Sequence, residues 1–409
     1  MRTILHVDLN NFYASVEMKI NPSLKDKYVA VCGSVENRHG IILAKSENAK
    51  RLGVKTGMVI KDALKLCPEL VLVEAKHDRY IAYSRLVRDI YRKYTDKIES
   101  FGIDECWLDV TNSLKLFGSG EKIANEIRER VKSELGLTVS VGVSFNKVFA
   151  KLGSDVKKPD AVTVIDVDNY KKIVWSLPVE RLLFVGQSTK QKFNKINIIT
   201  IGDLANADSD FISKTFGKCG ESLQSYAKGE DKSEVLFDDE SNEIKSVGNS
   251  ITSYRDLTAL DDVKIILTIL CESVSSRLIS YKIGKANTLT LFVRDSNLFS
   301  FTRQCKLDYS SSLPEDFIKT ALKLFNKNVK NKFYIRTLGV SISGFNDKEE
   351  QITFDSLNYE KKEKLNDAIT DIKHKYGNES VVKGIVLKDK KFLREDPKSE
   401  HVVHPEGHL

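Results

Sequence analysis

Residues 98–110 read Ile98-Glu99-Ser100-Phe101-Gly102-Ile103-Asp104-Glu105-Cys106-Trp107-Leu108-Asp109-Val110 and set two adjacent carboxylates, Asp104 and Glu105, in an otherwise apolar run. This pattern predicts two short strands around a tight bend near Gly102. Acidic residues are depleted from strands, and two like charges about 4 Å apart repel by roughly 4 kcal/mol at an effective dielectric of about 20. We therefore expect a cation close to this pair.

A third carboxylate is available near the amino terminus, where Thr3-Ile4-Leu5-His6-Val7 predicts a buried strand that ends at Asp8. If Asp8 and the Asp104-Glu105 pair meet on adjacent strands, they form an all-oxygen site that suits Mg²⁺. Two simpler interpretations stay open at this point. An Asp-Glu pair taken alone is most often a solvated turn, and Asp8 could cap the helix that follows it.

The length of 409 residues allows two to four domains, each with its own core. No run of about 18 apolar residues predicts a membrane helix, and Met1-Arg2-Thr3 does not begin a signal peptide, so we expect a cytoplasmic protein with no membrane contact. The six cysteines have no Cys-x-x-Cys spacing and indicate neither a zinc site nor a disulfide framework. The net charge of +7 permits nucleic-acid binding without establishing it.

Two motifs suggest a family. The segments Asp8-Leu9-Asn10-Asn11-Phe12-Tyr13-Ala14-Ser15-Val16-Glu17 and Ser100-Phe101-Gly102-Ile103-Asp104-Glu105 resemble the two metal-binding motifs of Y-family DNA polymerases. The resemblance covers residues 1–345 and is greatest to the DinB (DNA polymerase IV) branch. It implies an α+β multidomain right-hand polymerase with a ferredoxin-like palm, small fingers, a helical helix-hairpin-helix thumb and an α/β little-finger domain.

The same resemblance implies the activity and the ligands. We expect template-directed, low-fidelity translesion synthesis that adds deoxynucleotides to a primer 3′ end by two-metal phosphoryl transfer. The expected cofactors are two Mg²⁺ ions per active site, with Mn²⁺ as an alternative. The expected partners are primer-template DNA, deoxynucleoside triphosphates and the sliding clamp, bound by a monomer.

The domain boundaries follow from composition and resemblance together. They are palm 1–10 and 76–166, fingers 11–75, thumb 167–231, linker 232–243, little finger 244–347 and a charged C-terminal tail 348–409.

Site roles are carried over from the family motifs. Asp8 and Asp104 would bridge the two ions, Glu105 would bind the primer-side ion, and the Leu9 carbonyl would bind the nucleotide-side ion. Phe12 and Tyr13 would contact the nucleotide, with Tyr13 as the steric gate that excludes a 2′-hydroxyl. The phosphates would be bound by Lys50 and Lys158, and Lys151 would support the carboxylates or the phosphates.

The fingers depart from the DinB pattern. Glu47 and Lys50 stand where the family commonly has a Tyr and an Arg, and in this respect the segment resembles the UmuC branch. A lysine can neutralise phosphate as a point charge, but it lacks the bidentate fork of arginine.

DNA contacts are expected in two regions. The turn Phe184-Val185-Gly186 resembles a helix-hairpin-helix turn with one glycine fewer, and the predicted backbone contacts there are Gly186, Thr189 and Lys190. A basic sheet face further on would grip the duplex backbone. Its predicted DNA-binding residues are Lys245, Arg255, Arg294, Arg303 and Arg336. The peptide Glu350-Gln351-Ile352-Thr353-Phe354-Asp355 weakly resembles a clamp-binding motif.

Three other functions stay open. The chain could be a UmuC-like polymerase subunit that depends on an accessory partner, or a catalytically silent DNA- and clamp-binding protein. It could also be a nucleotide cyclase with the same type of palm. The predicted thumb and basic third domain argue against a cyclase, which has no duplex to grip.

Overall fold

The computed structural model describes residues 1–33, 40–238, 244–330, 333–346, 356–377 and 379–393. Residues 1–32 and 41–238 form a first compact unit, and the described residues from 244 onward form a second. Within these ranges we find no helix that combines the length and the hydropathy needed to span a bilayer.

The first unit has two sheets and a set of helices. Its strands are β1 (Ile4–Leu9), β2 (Val29–Cys32), β3 (Ile42–Lys45), β4 (Val71–Glu74), β5 (Ile98–Ser100), β6 (Glu105–Asp109), β7 (Val139–Ser144) and β8 (Val162–Ile165). Its helices are α1 (Phe12–Ile20), α2 (Glu47–Arg51), α3 (Ile60–Leu66), α4 (His77–Tyr91), α5 (Leu114–Phe117), α6 (Gly120–Arg130), α7 (Lys147–Val156), α8 (Tyr170–Val174), α9 (Gln187–Asn194), α10 (Ile201–Asn206) and α11 (Ser209–Lys228).

The larger sheet has the strand order β5-β6-β1-β7-β8, in which β1 is antiparallel to both of its neighbours. Successive side chains of a strand point to opposite faces. Leu5 and Val7 of β1 therefore join a core shared with α4 and α6, while Ile4 joins a separate cluster with Trp107 and Ala150 of α7. Asp8, four residues after Ile4, shares the face that α7 covers.

Helix α7 lies very close to this sheet because of one glycine. A Cβ atom on Gly142 of β7 would lie 1.9 Å from the carbonyl oxygen of Ala150, so any other residue would push α7 outward. The Asn146 side chain caps the helix by accepting from the backbone N–H of Phe149 at 2.8 Å. Together these contacts fix where Lys151 lies over the sheet.

The rest of the first unit surrounds this sheet. A smaller sheet has the order β3-β2-β4 and its own core, and α8–α11 form a helical region whose core includes Phe193 and Leu223. The predicted linker begins inside this unit instead of outside it. Val235 is buried, the backbone N–H of Leu236 donates to Glu99 at 3.1 Å, and Arg2 donates to the carbonyl of Ser233 at 2.6 Å.

The second unit is a sheet of order β11-β10-β12-β9 with helices on one face. Its strands are β9 (Ser246–Leu257), β10 (Lys285–Asp295), β11 (Ser300–Ser311) and β12 (Ile335–Asn346). Its helices are α12 (Leu260–Ser280), α13 (Pro314–Asn328), α14 (Ser356–Tyr376) and α15 (Lys390–Leu393). Leu289 and Leu291 of β10 and Leu338 of β12 pack against α12 and α13.

The opposite face of this sheet carries mostly hydroxyl groups and glycine. On this face, Thr290 is the register partner of both Ser341 and Gln304, and Gly339 is the register partner of Ser250. Arg294 belongs to this open face, since it is paired with Ser300 and Thr337. We call the surface formed by alternate residues of the four strands the hydroxyl face.

The segment after the sheet differs from the charged tail that composition predicts. Val386 and Phe392 are buried in the core of the second unit, and Lys373 of α14 pairs with Glu272 of α12 at 2.7 Å. Residues 356–377 and 379–393 are thus part of this unit. Composition obscured this because the exposed faces of these short helices are charged while only a few apolar residues reach the core.

Candidate active site

The pairing of β1 with β6 brings the predicted carboxylates together. Asp8 and Glu105 are direct Cα partners across the two antiparallel strands, and the backbone N–H of Leu9 donates to the carbonyl of Asp104 at 2.9 Å. Residues that are almost 100 positions apart in sequence therefore meet at the end of one strand pair. The solvated-turn interpretation of Asp104-Glu105 does not fit this placement.

Two lysines supply the positive charge that the clustered acids require. The Lys151 ammonium contacts Oε2 of Glu105 and lies 3.5 Å from Oδ2 of Asp8. Lys158 pairs with the same Asp8 oxygen at 2.8 Å and with Asp155 at 2.7 Å. Burial opposes the charge of Lys151, but the surrounding carboxylates outweigh it and raise its pKa to about 12.

The two neighbouring acids have very different proton affinities. Burial, together with the charges of Glu105 and Asp8, raises the pKa of Asp104 to about 7. Burial also acts to raise the pKa of Glu105, but the His6 imidazole and the Lys151 ammonium outweigh it and lower that pKa to about 2. Asp104 is therefore the acid whose charge is least compensated by protein groups.

The donor set fits a hard divalent cation. Three carboxylates and the Leu9 carbonyl are the oxygen ligands that Mg²⁺ prefers. Among the described residues, no three His, Cys, Asp or Glu side chains are grouped tightly enough to count as a formed metal cluster. The ammonium groups of Lys151 and Lys158 contact these acids and provide positive charge beside them.

Tyr13 lies beside these acids on α1. Its ring stacks on Tyr80 with centroids 4.2 Å apart, and Phe12 is buried next to it at 5.6 Å. Burial, and to a smaller extent the charge of Asp104, raises the pKa of Tyr13 to about 12. A neutral aromatic ring next to the carboxylates is the arrangement expected for a group that contacts the sugar of a nucleotide.

The predicted phosphate-binding lysines belong to a positive cluster. Burial, and then the nearby charges of Lys50 and Lys158, lower the pKa of Lys45. Glu47, which departs from the DinB pattern, accepts from Asn11 at 3.0 Å and from Lys50 at 3.3 Å. It thereby orients Lys50 toward α1 instead of binding phosphate itself.

The helix-hairpin-helix turn has an unusual backbone. Phe184 adopts φ 70°, a left-handed conformation that favours glycine, and its ring is 54% exposed. Gly186 is the N-cap of α9 and Thr189 is half-buried in that helix. Lys190 pairs with Glu180 at 2.6 Å.

The predicted DNA contacts of the second unit do not share one face. Arg294 lies on the hydroxyl face, whereas Arg303 is the register partner of Leu291 on the helix-covered side and donates to Asn328 of α13. Arg255 makes a bidentate pair with Asp262, at 2.8 Å for both bonds, and also contacts Asp389. Lys245 is exposed and Arg336 is half-buried. The expected clamp-binding peptide falls outside the described residues.

Two residues near the acids, His6 and Ser154, were not predicted from the sequence. His6 is fully buried, with Nε2 3.3 Å from Oε2 of Glu105, and its Nδ1 is 2.8 Å from Oγ of Ser154 on α7. Burial lowers the pKa of His6 despite the neighbouring acids. The available signal was periodicity, because His6 precedes Asp8 by two residues in a strand and must share its face.

Comparisons with known proteins agree with this geometry. The model of the impB/mucB/samB family matches residues 7–155, and the model of the C-terminal domain of that family matches residues 244–354. A protein named DNA polymerase IV from Acetivibrio thermocellus is 50% identical, covering 96% of this chain and 99% of its own length. Another of that name from Clostridium kluyveri is 35% identical, covering 95% and 99%.

Solved structures with similar folds are also polymerases. A Y-family DNA polymerase chimera of Dbh and Dpo4 has a TM-score of 0.73 at 25% identity, over 84% of this chain and 99% of its own. An insertion ternary complex of Dbh DNA polymerase has a TM-score of 0.60 at 26% identity, with the same coverage.

The fold and the acidic site define a DNA-directed DNA polymerase with α+β architecture. The chain belongs to the impB/mucB/samB family of Y-family polymerases, and its relatives carry the name DNA polymerase IV. The predicted family, fold class and enzyme class are thereby confirmed.

Proposed function

We propose that this polymerase extends primer 3′ ends on a DNA template, including damaged templates, by metal-assisted transfer of deoxynucleotides. The observation that carries the proposal is the direct cross-strand pairing of Asp8 with Glu105, with Asp104 bonded to the same strand end through Leu9. The names of the relatives support the polymerase activity, and the ternary complex of a similar protein supports DNA and nucleotide as substrates.

The carboxylates of Asp8, Asp104 and Glu105 and the carbonyl of Leu9 would hold two Mg²⁺ ions, for which Mn²⁺ could substitute. When bound, such ions activate the primer 3′-hydroxyl and stabilise the charge that develops at the α-phosphate. Asp104 is suited to this role, because its raised pKa reports a carboxylate that lacks a nearby compensating cation.

The lysines have separate tasks in this proposal. Lys151 contacts both Asp8 and Glu105 and so offsets the repulsion between their carboxylates. Lys158 and Lys50 would neutralise the triphosphate, with Lys45 as a further positive charge near both. A triphosphate would compete with Asp8 for Lys158, which would release Asp8 to bind a cation.

Sugar selection is assigned to Tyr13, with Phe12 packed beside it. The stack on the buried Tyr80 leaves the Tyr13 ring little freedom to withdraw from a bulkier sugar. A 2′-hydroxyl would then meet the ring instead of empty space.

Duplex binding is assigned to both units without base recognition. The exposed Lys245 and Arg294 and the hydroxyl face suit a DNA backbone, as do the N–H groups around Gly186 and Thr189. Further positive charge would come from Lys190, Arg303 and Arg336. Arg255 is already paired with two acids, Asp262 and Asp389. We further propose that the enzyme acts as a cytoplasmic monomer with the sliding clamp as a partner.

A primer-extension assay with Mg²⁺ and deoxynucleotides tests the proposal, using an undamaged template and one with an abasic site. Asp104→Ala should abolish extension on both templates, whereas Asp62→Ala, which removes an exposed carboxylate paired with Lys65, should leave it unchanged. Extension that requires an added accessory subunit would favour the UmuC-like alternative. Undiminished extension by Asp104→Ala would refute the site.

A further inference from the structure

His6 lies in the centre of the five-stranded sheet, where it is completely shielded from solvent. Its Cα partners are Trp107 on β6 and Gly142 on β7, and its ring makes an edge-on contact with Trp107 at 5.4 Å. An apolar residue would fill such a position without any polar partners. The presence of an imidazole there needs a reason, since an unpaired buried polar group is destabilising.

Both ring nitrogens face polar atoms of the acidic site or its supporting helix. Nδ1 is 2.8 Å from Oγ of Ser154, and Nε2 is 3.3 Å from Oε2 of Glu105. Within the described residues Nε2 makes no hydrogen bond of regular geometry, and the carboxylate oxygen near it is Oε2 of Glu105. The ring is therefore a bridge between α7 and the carboxylate.

Ser154 can determine which ring nitrogen carries the hydrogen. Its hydroxyl oxygen lies 2.8 Å from Nδ1 of His6, and its single hydrogen can go either to Nδ1 or to the carbonyl oxygen of Lys151, which is also 2.8 Å away. When the hydroxyl donates to Nδ1, the hydrogen of the ring is on Nε2 and points at Glu105. This is the arrangement by which outer groups commonly orient the ligands of a metal.

The contacts of Glu105 are confined to one of its two oxygens. Both His6 and Lys151 approach Oε2, while Oε1 has no hydrogen bond or ion pair with any described residue. Because both groups contact Oε2, Oε1 is left available for an incoming ligand. A lysine alone would not fix this orientation, because Lys151 is shared with Asp8 and Asp155.

We propose that His6 is a positioning residue of the polymerase site, which donates its Nε2 hydrogen to Glu105 and so presents Oε1 of that carboxylate to a divalent cation. This form of the ring is supported when the Ser154 hydroxyl donates to Nδ1 instead of to the carbonyl of Lys151. The inference rests on the proposed function only in taking Glu105 as a cation ligand. His6 itself touches neither nucleotide nor DNA in this assignment.

Two polar substitutions separate this role from simple packing. In His6→Gln the side-chain amide can reach the position of Nε2 and donate to Glu105. In His6→Asn the shorter amide can reach Ser154 but not Glu105. The melting temperature of the full chain is measured against Mg²⁺ and Mn²⁺ concentration, without DNA or nucleotide, to find the concentration that gives half of the maximal increase. The Mg²⁺ dependence of single-nucleotide insertion is measured next.

We expect His6→Asn to raise both half-saturating concentrations by about 10- to 100-fold, the usual effect of losing an outer-shell partner, and His6→Gln to remain close to wild type. Ser154→Ala should give a smaller increase in the same direction. Ser144→Ala is the matched control, because it removes a buried hydroxyl of β7, in the same sheet as His6. That hydroxyl donates to the carbonyl of Ile165 at 2.7 Å. This substitution should lower stability without changing cation dependence.

Equal cation dependence of His6→Gln and His6→Asn would overturn the proposal, whether both matched wild type or both were weakened. So would loss of melting temperature in His6→Asn with unchanged half-saturating concentrations, which is the result expected of a packing residue. Failure of the proposed function is distinguishable, because wild-type protein would then show neither insertion nor a cation-dependent thermal shift.

Discussion

The ring of Tyr13 lies flat against the ring of Tyr80, with centroids 4.2 Å apart and planes within 10° of parallel. Tyr80 is fully buried, and its hydroxyl donates to Oε1 of Glu17 at 3.0 Å. Arg79 holds the other oxygen of Glu17 at 3.0 Å. The predicted steric gate is thus backed by a ring that is itself fixed on its far side.

This backing predicts that sugar selection depends on a residue that cannot touch the nucleotide. Tyr80→Leu should raise ribonucleotide insertion relative to deoxynucleotide insertion by about 3- to 10-fold, because an aromatic pair contributes about 0.5–1.5 kcal/mol. Tyr80→Phe keeps the ring and should stay close to wild type. The ratio of kcat/KM values for the two nucleotides is the measurement. A raised ratio in Tyr13→Ala with no change in Tyr80→Leu would show that the stack is not needed.

Asp104 is expected to lower the stability of the metal-free protein while being essential for activity. Its pKa is about 7 in the folded state and 3.8 ordinarily, so the folded state binds the extra proton, and stability falls as the pH rises from about 4 to 7. Asp104→Asn should remove this dependence and raise the free energy of unfolding at pH 8 in EDTA by about 1–4 kcal/mol. Extension should be abolished.

Thermal denaturation of wild type and Asp104→Asn between pH 4 and pH 8 checks the sign. Asp62→Asn is the control, since it removes an exposed carboxylate of lowered pKa. A variant that is less stable than wild type at pH 8 would contradict the assignment of unrelieved repulsion to Asp104.

Phe184 predicts a stabilising substitution to glycine. Its left-handed φ of 70° costs a residue with a Cβ about 1–2 kcal/mol, and its half-exposed ring has little buried area to lose. Phe184→Gly should therefore raise the melting temperature. The matched control is Phe211→Gly, which removes a ring of 47% exposure from the regular backbone of α11 and should destabilise by about 1 kcal/mol. Equal losses in both variants would contradict the argument.

The sequence was sufficient to predict the acids and the sheet that carries them. Asp8 is the last residue but one of β1, a strand of buried apolar residues, and Glu105 begins β6 with Asp104 directly before it, so the pairing of these two strands brings the acids together. The lysine contacts were only partly predicted, because Lys151 reaches the acids through the close approach of α7, which depends on Gly142. From sequence alone, a glycine in a strand does not indicate which helix will pack closely against it.

The interpretation of basic residues from sequence was less successful. Arg255, Arg294 and Arg303 cannot be distinguished by residue type. They differ in their positions in the strand register and in the acids that lie near them. Asp389, which contacts Arg255, is 134 residues away in sequence, and no local pattern indicates that pairing. The same limit hid Phe392, an apolar residue in a charged stretch.

These differences predict opposite effects for two arginines. Arg294→Ala should weaken binding to primer-template DNA and reduce the magnitude of the slope of log affinity against log salt by about 1, as for one lost phosphate contact. Arg255→Ala should leave that slope unchanged and should lower the melting temperature, because Asp262 and Asp389 lose their shared partner. DNA titrations at several NaCl concentrations and melting curves check both. A reduced slope for Arg255→Ala would reverse the assignment.

Phe392 tests whether the carboxyl-terminal helices stabilise the second unit. Its ring is fully buried 5.1 Å from that of Tyr254 on β9. Phe392→Ala should lower the free energy of unfolding by about 3–5 kcal/mol, whereas Leu387→Ala, at a half-exposed position, should change it by less than about 0.5 kcal/mol. Hydrogen exchange of the β9–β12 amides reports the second unit directly. Equal exchange rates in the two variants would mean that the sheet is stable without these helices.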